Sequence, residues 1–188
     1  MSDDSSTPVD QLRTALRNAA SALKTDGPPF ALAGSYALWA YGGPEPCHDV
    51  DFVVTEADTE EAAGTLKRAG FDIERTPEDW LFKAHLGEAT ADVLHRVNGA
   101  PVDTDLLGKA EQRAVLAITM PVLPPTTVMI QKLRALDEHY CDFAHLLPPV
   151  RAIREHLDWD AITEQVSDNP YAAAFLVLAQ RLGLTAKH

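Results

Sequence analysis

Apolar residues recur at three- and four-residue intervals through Val9, Leu12, Leu16, Ala19, Ala20 and Leu23, which predicts an amphipathic first helix. Pro8 suits its first turn, and Asp26-Gly27-Pro28-Pro29 stops it. The period then changes. Phe30 to Ala33 is a short unbroken apolar run that reads as a strand, Gly34-Ser35 turns the chain, and Tyr36 to Tyr41 reads as a second helix. Gly42-Gly43-Pro44-Glu45-Pro46 breaks that helix and leads through His48 into Asp49-Val50-Asp51-Phe52-Val53-Val54, a second strand with two aspartates one residue apart.

Thr59 to Ala69 reads as a third helix, with Thr59 as its cap, Glu60 and Glu61 in its first turn and Gly70 past its end. Phe71 to Thr76 begins another strand. Trp80 to Leu86 and Ala91 to Val97 read as two strands joined by a glycine-containing turn. Pro101 to Leu107 reads as a loop and Arg113 to Val122 as a single closing strand. Beyond Pro124-Pro125 the pattern is helical: Thr126 or Thr127 can cap a helix carrying Val128, Met129, Leu133 and Leu136, and Tyr140 to Leu147 continues in helical style. Pro148-Pro149 punctuates before a short helix of Val150, Ile153 and Leu157, and Asn169-Pro170 opens the last helix, Tyr171 to Leu182. The fold class is therefore α/β (α+β): residues 1–29 an N-terminal helix with a disordered tip over Met1 to Thr7, 30–123 a lobe with a small mixed sheet flanked by helices, and 124–188 a C-terminal helical extension.

Side chains two apart in a strand share a face, so Asp49 and Asp51 are expected to point the same way, about 7 Å apart. Like charges so placed repel unless a cation lies between them, and Mg²⁺, an oxygen-seeking ion that keeps positions open for phosphates, is the usual one. A surface strand with two solvated carboxylates is the plain alternative. Gly34 lets backbone N–H groups approach an anion closely, and Ser35 offers a hydroxyl to a terminal phosphate.

Composition changes the picture in two ways. The 188 residues carry a formal net charge of −12, which argues against broad nonspecific binding of nucleic acid. Cys47 and Cys141 lie far apart without metal-ligand spacing, which implies a reducing compartment and no disulfide framework. With no signal peptide and no long apolar run, the expected location is cytoplasmic.

Apolar-Gly34-Ser35, 13 intervening residues and then Asp49-Val50-Asp51 in an apolar strand resemble the nucleotidyltransferase superfamily with the DNA polymerase β-like fold. The segment from Thr126 to Leu147, with Lys132-Leu133-Arg134-Ala135-Leu136 followed by Asp142-Phe143, resembles bacterial toxin-type nucleotidyltransferases of the type IV abortive-infection and MenT-like groups. The resemblance implies an enzyme of the EC 2.7.7 type that moves a nucleoside monophosphate from an NTP to an acceptor hydroxyl with Mg²⁺. Asp49 and Asp51 would hold the metal, Gly34, Ser35 and Lys132 would bind the nucleotide, and Asp142 would help arrange the site. Asp92, on the strand beside the aspartate pair, would be the third carboxylate, as a ligand or a base. The implied acceptor is the 3′ end of tRNA, making the chain the toxin of a toxin–antitoxin system with a cognate antitoxin as partner.

Each assignment has a plain counterpart. Lys132 can snorkel from an apolar turn between Ile130 and Leu133, Asp142 can be a helix-surface residue, and Asp92 a solvated strand end. Other families with the same fold adenylylate aminoglycosides or lincosamides, and the acidic charge suits a cationic drug. A degenerate fold acting as a binding module is the third reading. A basic stripe through Lys109, Arg113, Lys132, Arg134, Arg151 and Arg154 would favour RNA.

Overall fold

The computed structural model describes residues 7–185; the expected disordered tip falls outside them except for Thr7. That residue caps α1 (Pro8–Asp26) in a reciprocal box with Asp10, and Pro8 stands in the first turn. Leu12, Ala15, Leu16, Ala19, Ala20 and Leu23 form the buried stripe of α1 that the periodicity predicts.

A mixed seven-stranded sheet forms the centre, in the order β3-β4-β5-β2-β1-β9-β8. Its strands are β1 (Phe30–Ala33), β2 (Val50–Val54), β3 (Asp72–Arg75), β4 (Leu81–Leu86), β5 (Ala89–Leu94), β8 (Glu111–Val115) and β9 (Ile118–Val122). β2 runs parallel to β5 and β1 parallel to β9, while the other neighbours are antiparallel. β1 and β2 are buried along nearly their whole length, as their continuous apolar runs require in mid-sheet. α1 packs on β2, β5 and β9 and against α3 (Thr59–Arg68). α2 (Gly34–Trp39) packs on β1 and β2 and against α5 (Pro125–Arg134) and α6 (Phe143–Ile153), and α5 rests on α7 (Trp159–Gln165) and α8 (Pro170–Arg181).

Several expectations are corrected. The single strand over Arg113 to Val122 is the hairpin β8–β9, whose turn places Leu116 at φ 49° and Ala117 at φ 65°. Neither residue carries the Asn or Gly that signals such a turn, so packing imposes it. The strand expected to reach Val97 ends at Leu94; β6 (Arg96–Val97) and β7 (Ala100–Pro101) form a separate ribbon about Asn98-Gly99. That Asn-Gly was a legible hairpin signal. The loop expected over Pro101 to Leu107 contains α4 (Thr104–Gly108), capped by Asp103, which accepts from the Leu106 N–H at 2.8 Å. Thr59 does not cap α3; Asp58 occupies the cap position and the Thr59 hydroxyl donates to the Glu56 carbonyl at 2.9 Å.

The helical style expected from Tyr140 begins only at Phe143, because Asp137 folds the preceding chain into a turn by accepting from the His139 and Tyr140 N–H groups, both at 2.8 Å. Pro148-Pro149 does not divide the helix: α6 runs through both. The carbonyls they leave unpaired, those of Ala144 and His145, belong to exposed residues that water can serve, while Leu146, Val150 and Ile153 gain a continuous buried face.

Candidate active site

The sheet register assembles the site. Asp51 of β2 lies opposite Asp92 of β5, Asp92 lies opposite Lys83 of β4, and on the other side Asp51 pairs with Ala33, the last residue of β1. Lys83, Asp92, Asp51 and the start of the Gly34 turn therefore lie in one row across four strands. The next row, Phe82, Val93, Phe52 and Leu32, is wholly apolar and fully buried. By strand alternation those apolar side chains project to the opposite face of the sheet from the polar row.

Asp49 precedes β2 rather than lying in it, a one-residue correction that leaves its carboxylate with the others. One carboxylate oxygen from each of Asp49, Asp51 and Asp92 lies within 4.8 Å of the other two. Asp49 and Asp51 are half-buried and Asp92 is buried. Burial, and next the neighbouring Asp49 charge, push the Asp51 carboxyl up to about 7, against the pull of Lys132. Burial also raises Asp92, even though Lys83 donates to both of its oxygens, at 2.9 and 3.0 Å. Three convergent carboxylates under this mutual repulsion are a donor set suited to a hard divalent cation. Together they can hold a metal.

Gly34 has φ +57°, and a Cβ there would run into the Asp51 carboxylate, whose Cγ would be 2.6 Å away. Only glycine lets the turn lie flat against that carboxylate. Ser35 follows, and its Oγ accepts from Lys132 Nζ at 3.1 Å. α5 fixes this lysine by burying Val128, Met129 and Leu133, and its packing on α2 carries Lys132 to the serine. Gly34, Ser35, Asp49, Asp51, Asp92 and Lys132 are thus brought together.

Asp142 caps α6. It is exposed at the start of α6, accepts from the Ala144 N–H at 2.9 Å and pairs with His145 at 3.2 Å. Among the described residues no ion pair joins it to Lys132. Lys83 was missed by sequence reasoning, although its signal was present. A two-residue turn at Gly87-Glu88 sets Leu86 opposite Ala89, and counting back along both strands puts Lys83 opposite Asp92. His85, two residues on, bridges Thr90 at 3.1 Å and Glu74 at 2.7 Å.

Three of the basic residues stand beside acids, while Lys109 and Arg151 are exposed. Arg113 lies over the Tyr41 ring at 3.9 Å and near Glu111 at 3.7 Å, Arg134 pairs with Asp168 at 3.6 Å, and Arg154 with Glu155 at 3.1 Å. Cys47 and Cys141 are free and exposed. Among the described residues no helix is long and apolar enough to cross a membrane.

No family profile matches the chain, and no curated protein matches it by sequence. Solved structures do. The crystal structure of ANT(2″)-Ia in complex with adenylyl-2″-tobramycin aligns over 88% of this chain and 97% of that one, with TM-score 0.62 and 14% identity. A solution structure of the same antibiotic-resistance factor aligns over 91% and 92%, with TM-score 0.53 and 14% identity. TM1012 of Thermotoga maritima, a protein proposed to be a nucleotidyltransferase, aligns over 64% of this chain and 82% of its own, with TM-score 0.52 and 16% identity.

Proposed function

On the nucleotidyltransferase fold that this chain adopts, we propose a Mg²⁺-dependent enzyme that transfers a nucleoside monophosphate from an NTP to a hydroxyl of a polycationic small molecule of the aminoglycoside type. The observation that carries the reaction is the single cluster of Asp49, Asp51 and Asp92 beside Gly34 and the Lys132–Ser35 pair. Mg²⁺ on Asp49 and Asp51 supplies, when bound, counter-charge for the α-phosphate and the departing pyrophosphate. Ser35 offers its hydroxyl to the terminal phosphates, and Lys132 neutralises them as a point charge. Gly34 keeps the backbone close to Asp51, so phosphates and carboxylates share one small volume. The acceptor oxygen bonds the α-phosphorus in line as the bond from phosphorus to the pyrophosphate oxygen breaks, and Asp92 takes the hydroxyl proton. Asp142 is left with the capping role that its contacts support.

The acceptor class rests on charge. A formal net charge of −12, with Arg113, Arg134 and Arg154 each beside an acid, favours a cation over the 3′ end of tRNA. The near full-length likeness to a protein solved with an adenylylated tobramycin points the same way. The tRNA-modifying toxin with its antitoxin, implied by the resemblance of the Lys132 helix, is the second reading.

The deciding assay incubates the protein with each α-labelled NTP, Mg²⁺, an aminoglycoside panel and total tRNA, beside an Asp49→Ala/Asp51→Ala control. Label on an aminoglycoside, dependent on the aspartates, is the expected result. Label on tRNA 3′ ends would replace the acceptor with RNA and give the toxin reading its basis. A folded protein that binds no NTP would leave a binding module.

A further inference from the structure

Lys83 has no part in the reaction as proposed, yet it is built into the site. Its ammonium donates to both oxygens of Asp92 from directly across the β4–β5 ladder. β4 is paired by β3 and β5, and β5 by β4 and β2, so neither strand is a free edge and the lysine is anchored on both sides. The Asp92 side chain is 10% exposed and that of Lys83 34%, so the pair lies at the floor of the cluster rather than on an open surface.

Lys83 Nζ occupies one side of the Asp92 carboxylate by bonding both its oxygens, and a divalent ion placed there would face that positive charge at close range. Two-metal phosphoryl-transfer sites put their second cation between the acceptor hydroxyl and a shared carboxylate. Here Lys83 already holds Asp92, while Lys132 acts on Asp51.

We propose that Lys83 stands in place of a second metal ion, so that the site takes a single divalent cation, on Asp49 and Asp51, and Asp92 is held by the lysine. Lys83 is then a positioning residue. This inference rests on the metal-dependent reading above.

The test is Mn²⁺ titration of the full chain without nucleotide, following free Mn²⁺ by electron paramagnetic resonance, with circular dichroism to verify folding. The wild type and Lys83→Arg are expected to bind one Mn²⁺ per chain. Lys83→Gln is expected to bind two, the second within about tenfold of the first in affinity, and Lys83→Gln/Asp92→Asn to return to one. Two ions on the wild type, or one ion on folded Lys83→Gln, would overturn the role of Lys83 while leaving a metal enzyme. No Mn²⁺ on the wild type would overturn the metal reading itself. Two ions on the wild type would overturn the idea without any variant, so loss of fold in a variant does not protect it.

Discussion

Gly34 shows how little freedom single residues have in this site. Its left-handed φ of +57° costs any other L-residue about 1–2 kcal/mol, and an added Cβ would displace the Asp51 carboxylate. Gly34→Ala is therefore expected to lower stability by about that amount and activity by about 100-fold or more, read by urea denaturation and nucleotide transfer. Lys132→Met, which removes the partner of Ser35, should raise KM for the NTP by about ten- to a hundredfold with little change in melting temperature. An unchanged KM would take Lys132 out of the nucleotide site. Asp51 carries the pH dependence. Its folded pKa of about 7 lies above the ordinary value of 3.8, so the chelator-treated protein favours the neutral carboxyl. That contribution is fully present below about pH 4 and is lost as pH rises through 7. Asp51→Asn should accordingly be the more stable protein in EDTA above pH 7, its advantage vanishing near pH 4. Denaturation at a series of pH values measures this, and equal curves at pH 8 would contradict it.

Elements reach their places here by packing more than by local propensity. The β8–β9 turn holds Leu116 and Ala117 at positive φ without a residue that prefers it. Ala117→Gly should relieve the strain and stabilise the fold by about 0.5–1 kcal/mol in chemical denaturation. α6 likewise tolerates Pro148 and Pro149 because the carbonyls they orphan are exposed and its buried face is continuous. α5 is the element that links architecture to chemistry, since its buried Val128, Met129 and Leu133 fix where Lys132 ends.

Across the whole molecule the net charge of −12 sets how an acceptor arrives. A polycationic acceptor is drawn in, so its kcat/KM should fall severalfold as salt rises from about 0.05 to about 0.3 M. A tRNA acceptor would be repelled, and the same salt increase would leave its rate level or raise it. Steady-state kinetics across the salt series separate the two by the sign of the slope. The near full-length alignment with ANT(2″)-Ia places the helices after β9 within the common architecture, and Lys132 reaches Ser35 from a helix more than 70 residues beyond Asp51 along the chain.

Local rules are strong where one residue sets the backbone or one face meets the core. From those the sequence by itself determined the striped α1 with Pro8 in its first turn, the β1–Gly34-Ser35–α2 unit, the strand bearing Asp51 and the helical C-terminal region. Its expectation that Asp49 and Asp51 come together is met in the structure, although Asp49 lies just before β2 and not within it. Tertiary structure alone decided the rest. The Leu116-Ala117 turn, the uninterrupted α6 and the use of Asp142 as the cap of α6 depend on what the rest of the chain packs against them. The row Lys83, Asp92, Asp51 is a matter of register between strands, set by hairpin closure and by which face must be buried. Residues distant in sequence acquire a common chemistry only when the strands that carry them close on the core through the buried opposite face, Phe82, Val93, Phe52 and Leu32.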